Sequence, residues 1–101
     1  MKNISKYVNP EIAYYSARFD NTTLNVKECQ EVACKSYAWA YYFAKYVKGA
    51  NIEKCQKAAC KSPKYAYWFA RTIRDANIKY CQEAAYKDPY WAKKFDEYII
   101  V

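Results

Sequence analysis

Apolar and polar positions along this chain follow helical spacing, and the same pattern returns every 26 residues. In the stretch 63–75, Ala66, Phe69, Ala70 and Ile73 fall at i, i+3, i+4 and i+7, which is one stripe of an α-helix. In 52–61, Ile52, Cys55 and Ala59 fall at i, i+3 and i+7, a narrower stripe of smaller side chains. Asn51 is a good N-cap for the first stretch, and Ser62-Pro63 starts the second with a cap and a proline at the first helical position. The start signal recurs as Asn9-Pro10 and Asp88-Pro89, and more weakly as Ser36-Tyr37. Ala50 with Cys55, Leu24 with Cys29 and Ala76 with Cys81 occupy the two staple positions around a cap. Gly49, the single glycine, sits where a helix should end. Seven helices are expected, at about 10–20, 26–35, 37–48, 52–61, 63–75, 78–87 and 89–100.

The period itself defines the architecture. Asn25, Asn51 and Asn77 share one phase, as do Cys29, Cys55 and Cys81, then Gln30, Gln56 and Gln82, then Ala33, Ala59 and Ala85. Phe43, Phe69 and Phe95 share another. A period of this length marks stacked units, each of which buries its apolar face against its neighbours. Each unit pairs a helix A of small residues with a helix B of rings, and such layers interdigitate well. The ends deviate as caps should. Residues 1–24 read as a lone helix B, and in the last unit Lys94, Asp96 and Glu97 stand where Trp68, Ala70 and Arg71 stood. The expected fold is all-α, a short right-handed α-solenoid in a single domain 1–101. Residues 1–24 form its capping helix, and 25–50, 51–76 and 77–101 its repeats.

Composition sharpens this picture. Leu24 is the one leucine, whereas 13 tyrosines, 3 tryptophans and 4 phenylalanines supply the bulk, so any core must set rings against Ala and Cys. The net charge is +7, with +1 in 1–24, +2 in 25–50, +4 in 51–76 and 0 in 77–101. A small basic protein is drawn to nucleic acid or to an acidic protein surface, and charge alone does not choose. The opening residues have no apolar signal-peptide segment. The longest apolar run, Tyr37 to Ala44, is far short of the ~20 residues that span a bilayer. Five cysteines, an odd number, agree with reduced thiols and a cytoplasmic location.

Catalysis has little to work with. There is no histidine and only one glycine, which removes Ser–His and Cys–His nucleophiles and phosphate-cradling loops. Cys29/Cys34 and Cys55/Cys60 make C-x4-C pairs, but residues five apart on a helix point about 140° apart and cannot share one ion. Cysteines of successive repeats are expected about 9–10 Å apart, one helix spacing, and beyond disulfide reach. No metal or cofactor is expected, and the cysteines read as small buried hydrophobes. The Gln column suits a hydrogen-bonded ladder between repeats or a bond to turn backbone, though a repeat code that reads a ligand uses the same placement. Lys35, Lys61 and Lys87 should end helix A, where a cation complements the macrodipole. Trp39, Tyr65 and Trp91 should pack between repeats.

The binding candidates lie on helix B. Tyr14, Tyr41 and Tyr67 form one column, and Arg18, Lys45 and Arg71 follow by four residues on the same face. In the last unit these become Lys93 and Glu97. Both columns lie off the Ala/Phe/Ile stripe and are expected to be partly exposed. Tyr with Arg is a pairing enriched at interface hot spots, and it also suits single strands, with rings for stacking and cations for phosphate.

A unit of two helices stacked in tandem resembles the short α-solenoids of HEAT and armadillo type, although 26 residues is shorter than either family's usual unit. The "CQ.AA.KsP.YAywFAr" core also resembles short tandem repeats in poorly characterised bacterial and phage proteins. The resemblance covers roughly residues 9–100 and implies a protein-binding scaffold, sometimes a nucleic-acid binder, with no catalytic residue. The expected function is a non-catalytic module that engages an acidic protein surface, as a phage accessory protein occluding a host machine would. The alternatives are RNA or single-stranded DNA binding by the same stripe, and end-to-end self-assembly through Tyr98-Ile99-Ile100-Val101.

Overall fold

The computed structural model describes residues 9–19 and 26–99, and every regular element among them is an α-helix. In chain order these are α1 (Pro10–Phe19), α2 (Val26–Ala33), α3 (Tyr37–Tyr46), α4 (Ile52–Ala59), α5 (Pro63–Thr72), α6 (Ile78–Ala85) and α7 (Pro89–Tyr98). The starts fall where the cap signals put them. Asn51 Oδ1 accepts from the Lys54 amide at 3.1 Å, Asn77 Oδ1 from Tyr80 at 3.0 Å and Asp88 Oδ1 from Tyr90 at 2.9 Å. Ser36 and Ser62 cap α3 and α5 in the same way. Each such bond satisfies an amide the helix itself leaves unpaired.

The helices stop earlier than their apolar stripes. Val47, Ile73 and Ile99 carry the stripe one step further in extended conformation, their amides still bonded to the carbonyls of Phe43, Phe69 and Phe95. β-Branched residues tolerate that geometry well, and all three keep their side chains buried. Lys48 and Gly49 then form the turn that follows Val47, with Gly49 at φ +90. No atom crowds the space a Cβ would fill, so backbone conformation is what favours glycine there. The shorter helices end in a tightened turn, in which Lys35 bonds back to Val32 (3.1 Å) and Ser36 to Ala33 (3.0 Å). Lys35, Lys61 and Lys87 therefore lie in these turns, beyond the last helical residue. The expected Leu24 staple and Asn25 cap fall outside the described residues, as do Ile100 and Val101.

Packing is sequential. Each ring-bearing helix lies most extensively on the small-residue helix that follows it, α1 on α2, α3 on α4 and α5 on α6. Successive ring-bearing helices (α1, α3, α5, α7) also touch one another, so the protein is a stack of helical hairpins. The core matches the predicted stripes. Phe43, Phe69 and Phe95 are fully buried against Ala33, Ala59, Ala85, Cys29, Cys55 and Cys81 and against the helix B alanines Ala40 and Ala66. The molecule is elongated, 48 × 21 × 16 Å, with a radius of gyration of 14.2 Å against about 13 Å for a compact chain of this size. Among the described residues no helix is long and apolar enough to cross a membrane.

The recurrent glutamine joins one hairpin to the next. Gln30 and Gln56 are the only buried polar or charged side chains among the described residues. Gln30 Oε1 accepts the Asn51 amide at 2.6 Å and the Cys55 thiol at 3.7 Å; Gln56 Oε1 accepts the Asn77 amide at 2.7 Å and the Cys81 thiol at 3.6 Å. This is the bond to turn backbone that the column suggested. No described buried side-chain nitrogen or oxygen lacks a hydrogen bond.

Candidate aromatic and basic face

The row of helices α1, α3, α5 and α7 builds a face with three related clefts, one between each neighbouring pair. The first, about 310 Å³, is lined by Tyr14, Tyr15, Arg18, Trp39, Tyr42 and Tyr46. The second, about 390 Å³, is lined by Tyr41, Tyr42, Lys45, Tyr46, Lys64, Tyr65 and Trp68. The third, about 250 Å³, is lined by Tyr67, Trp68, Arg71, Tyr90, Trp91, Lys94 and Tyr98. All six predicted site residues line these clefts, two to each, so the fold brings every Tyr together with its own Arg or Lys.

Their exposure differs from expectation. Arg18, Lys45 and Arg71 are exposed, but Tyr14, Tyr41 and Tyr67 are at most 5% exposed. The reason is the neighbouring helix. Tyr14 packs on Trp39 with ring centroids 5.2 Å apart, Tyr41 on Tyr65 at 5.7 Å and Tyr67 on Trp91 at 5.4 Å. The ring predicted to pack between repeats thus covers the tyrosine predicted to face outward. These tyrosines form the floor of the clefts, and the cations form the rim.

A buried phenol needs a partner for its hydroxyl. Arg18 Nη1 donates to Tyr14 Oη at 2.7 Å, and Arg71 Nη1 donates to Tyr67 Oη at 2.6 Å. Burial raises the Tyr14 pKa above the usual phenol value, and the Arg18 hydrogen bond opposes that rise. Each guanidinium also reaches across its cleft to a ring of the next hairpin. Arg18 sits 4.3 Å from the Tyr46 centroid and Arg71 4.9 Å from that of Tyr98, within cation–π range. The two arginines are therefore held in place by contacts within the protein.

The middle cleft uses different parts. Thr72 stands where Tyr46 and Tyr98 stand in the other units, and the Tyr41 hydroxyl pairs with Thr72 Oγ1 at 2.9 Å. Lys45 leans over the Tyr41 and Tyr46 rings at 5.7 and 5.1 Å. Its pKa is raised, first by a hydrogen bond with Tyr46, so it stays charged at neutral pH. Lys for Arg and Thr for Tyr are matched changes. At the far end, Lys93 and Glu97 are both exposed, and no tyrosine floor continues past Tyr67.

Sequence reasoning missed several cleft residues. Tyr15, Tyr42, Trp68 and Lys94 share a column, as do Phe19, Tyr46 and Tyr98, and the i, i+4 stacks Tyr15–Phe19 and Tyr42–Tyr46 join the two. The repeat alignment contained that signal. Two pairs of cysteines from successive repeats lie much closer than the ~9–10 Å expected of them. Cys34 and Cys55 bring their sulfurs to 4.0 Å, and Cys60 and Cys81 to 3.7 Å. The cysteine at the end of one small-residue helix turns onto the next such helix, 21 residues on. Among the described residues no group of three or more His, Cys, Asp or Glu is placed to hold a metal ion. No family model matches the chain, and comparison with curated proteins and with solved structures finds no match either. The repeat period and the helix packing therefore define the class, a helical-repeat protein with an aromatic and basic face.

Proposed function

We propose that this protein is a non-catalytic binding module, a short solenoid of HEAT-like kind, whose aromatic and basic face engages an extended acidic segment of a partner protein. The observation that carries the reading is the pair of arginines fixed over ring-lined clefts. Their guanidinium geometry is set by buried tyrosine hydroxyls, so little side-chain entropy remains to be lost on binding. Each cleft takes an apolar or aromatic side chain, and each rim cation takes a neighbouring carboxylate. Neighbouring helices stack about 8–10 Å apart. A polyproline-type segment repeats about every 9.3 Å, three residues at 3.1 Å, so every third side chain of such a segment meets a successive cleft. Aromatic grooves recognise that conformation elsewhere for the same reason.

Single-stranded nucleic acid is the competing ligand, because exposed Tyr15, Phe19, Tyr46, Tyr90 and Tyr98 offer stacking rings beside the cations. Displayed acidic peptides carrying proline or aromatic anchors, and a fluorescent oligo(dT), distinguish the two by direct binding to the full chain. Selection of peptides with anchors three residues apart is expected, with binding lost in Arg18→Glu and Arg71→Glu. Tighter binding to oligo(dT), with affinity falling steeply and linearly in log salt, would replace the protein partner with nucleic acid.

A further inference from the structure

On the opposite side of the stack, the helices α2 and α4 leave a cleft of about 300 Å³ that includes Gln30, Glu31, Cys34, Lys54, Lys57 and Lys61. Three lysines against one glutamate make it electropositive. Cys34 is partly exposed in this cleft, and its sulfur lies 4.0 Å from that of fully buried Cys55 on α4. Neither thiol has a role in the aromatic face.

We propose that Cys34 and Cys55 form an oxidative modification site, in which Cys34 reacts with a peroxide and Cys55 resolves the product to a disulfide joining successive repeats. The Cys34 thiolate attacks one peroxide oxygen, the O–O bond breaks, and the leaving oxygen departs as water after taking a proton. The resulting sulfenic acid is attacked at sulfur by Cys55, an S–S bond forms, and the hydroxyl leaves as a second water. Two thiols and one hydrogen peroxide give one disulfide and two waters, with the peroxide as the oxidant.

Reactive cysteines occupy electropositive, partly exposed sites, and redox-sensing ones sit beside a resolving thiol. Cys34 meets all three conditions. The second pair supplies an internal comparison. Cys60 and Cys81 are nearly as close, at 3.7 Å, but Cys60 is only 8% exposed and its cleft, about 190 Å³, has a single lysine, Lys87, beside Glu83. Its geometry allows closure while its surroundings slow attack. Charge balance within the first pair points the same way. Hydrogen bonding from Cys55, aided by Lys54, holds the Cys34 thiol below its usual pKa against the effect of burial, while the Cys55 thiol is pushed well up. With both thiols neutral, Cys55 donates to Gln30 Oε1 at 3.7 Å; on ionisation of Cys34 the same thiol has an anion to serve at 4.0 Å.

The test treats the reduced full chain with one equivalent of hydrogen peroxide at neutral pH, blocks remaining thiols, and maps tryptic peptides without reduction. The expected product joins ECQEVACK to CQK, with fragmentation placing the link on Cys34, and exceeds the AACK–YCQEAAYK link by about tenfold or more at early times. In Cys55→Ser, Cys34 should persist as a sulfenic acid that a dimedone-type reagent traps, and Cys34→Ser should abolish both products. Circular dichroism on each variant confirms the helical fold, and the rate of wild-type Cys34 alkylation by iodoacetamide gives a measure that needs no variant. The proposal fails if the Cys60–Cys81 link forms first. It fails equally if wild-type Cys34 stays sulfenic without closing, or if Cys34 alkylates no faster than the buried thiols.

Discussion

At the scale of single residues, position in the stack matters as much as residue type. Gln30, Gln56 and Gln82 occupy one column, and among the described residues the first two bond the backbone of the following hairpin. Gln82 is partly exposed and donates to the Tyr86 hydroxyl at 3.3 Å, and that hydroxyl in turn bonds Asp96. Gln56→Ala removes the acceptor of the Asn77 amide and the Cys81 thiol and leaves a gap. It should cost about 2 kcal/mol. Gln82→Ala should cost less than about 0.5 kcal/mol. Urea unfolding of the two variants checks this, and equal midpoints would mean that the inter-repeat bond adds nothing. The recurrence of glutamine was legible because a polar residue kept in phase with buried alanines needs a partner. The burial of Tyr14, Tyr41 and Tyr67 was not. The i, i+4 spacing places Tyr and Arg on one face, but what covers that face is a ring from the next unit, and spacing within one helix carries no information about its neighbour.

At the scale of elements, starts were more legible than ends. An N-cap is one side chain bonding an amide two or three residues on, so a short motif suffices to locate it. The ends depend on where the apolar stripe stops needing helical geometry. Val47, Ile73 and Ile99 stay buried outside the helix proper, which is why the expected α3 and α5 ran past Tyr46 and Thr72. Cap and stripe also differ in what they stabilise. Ser62→Ala loses one bond to the Tyr65 amide (3.5 Å) and should cost about 1 kcal/mol. Phe69→Ala empties a fully buried site packed near Tyr41, with centroids 6.5 Å apart, and should cost about 3–5 kcal/mol. Thermal or urea melts of both variants measure the contrast. A Phe69→Ala loss below about 1 kcal/mol would mean that the stripe does not form the core.

At the scale of the whole molecule, elongation follows from sequential packing. Each hairpin touches its neighbours and little else, so stability is close to a sum of unit and interface contributions. The ends have fewer interfaces than the middle. The α7 helix supplies only one core ring among its own ten residues, Phe95, and carries Lys93, Asp96 and Glu97 where inner units carry Tyr, Ala and a cation. A lesion at that end should therefore remain local. Phe95→Ala should speed amide exchange in α6 and α7 by about tenfold or more while α2 and α3 stay within about threefold of wild type. Phe43→Ala, in an inner hairpin with neighbours on both sides, should speed exchange on both sides of α3, because it weakens two interfaces at once. Hydrogen exchange read by mass spectrometry separates these outcomes. Uniform acceleration across the chain in Phe95→Ala would show one cooperative unit. The aromatic and basic face would then respond as a whole to any core lesion, and binding defects in core variants could not be assigned to a single cleft.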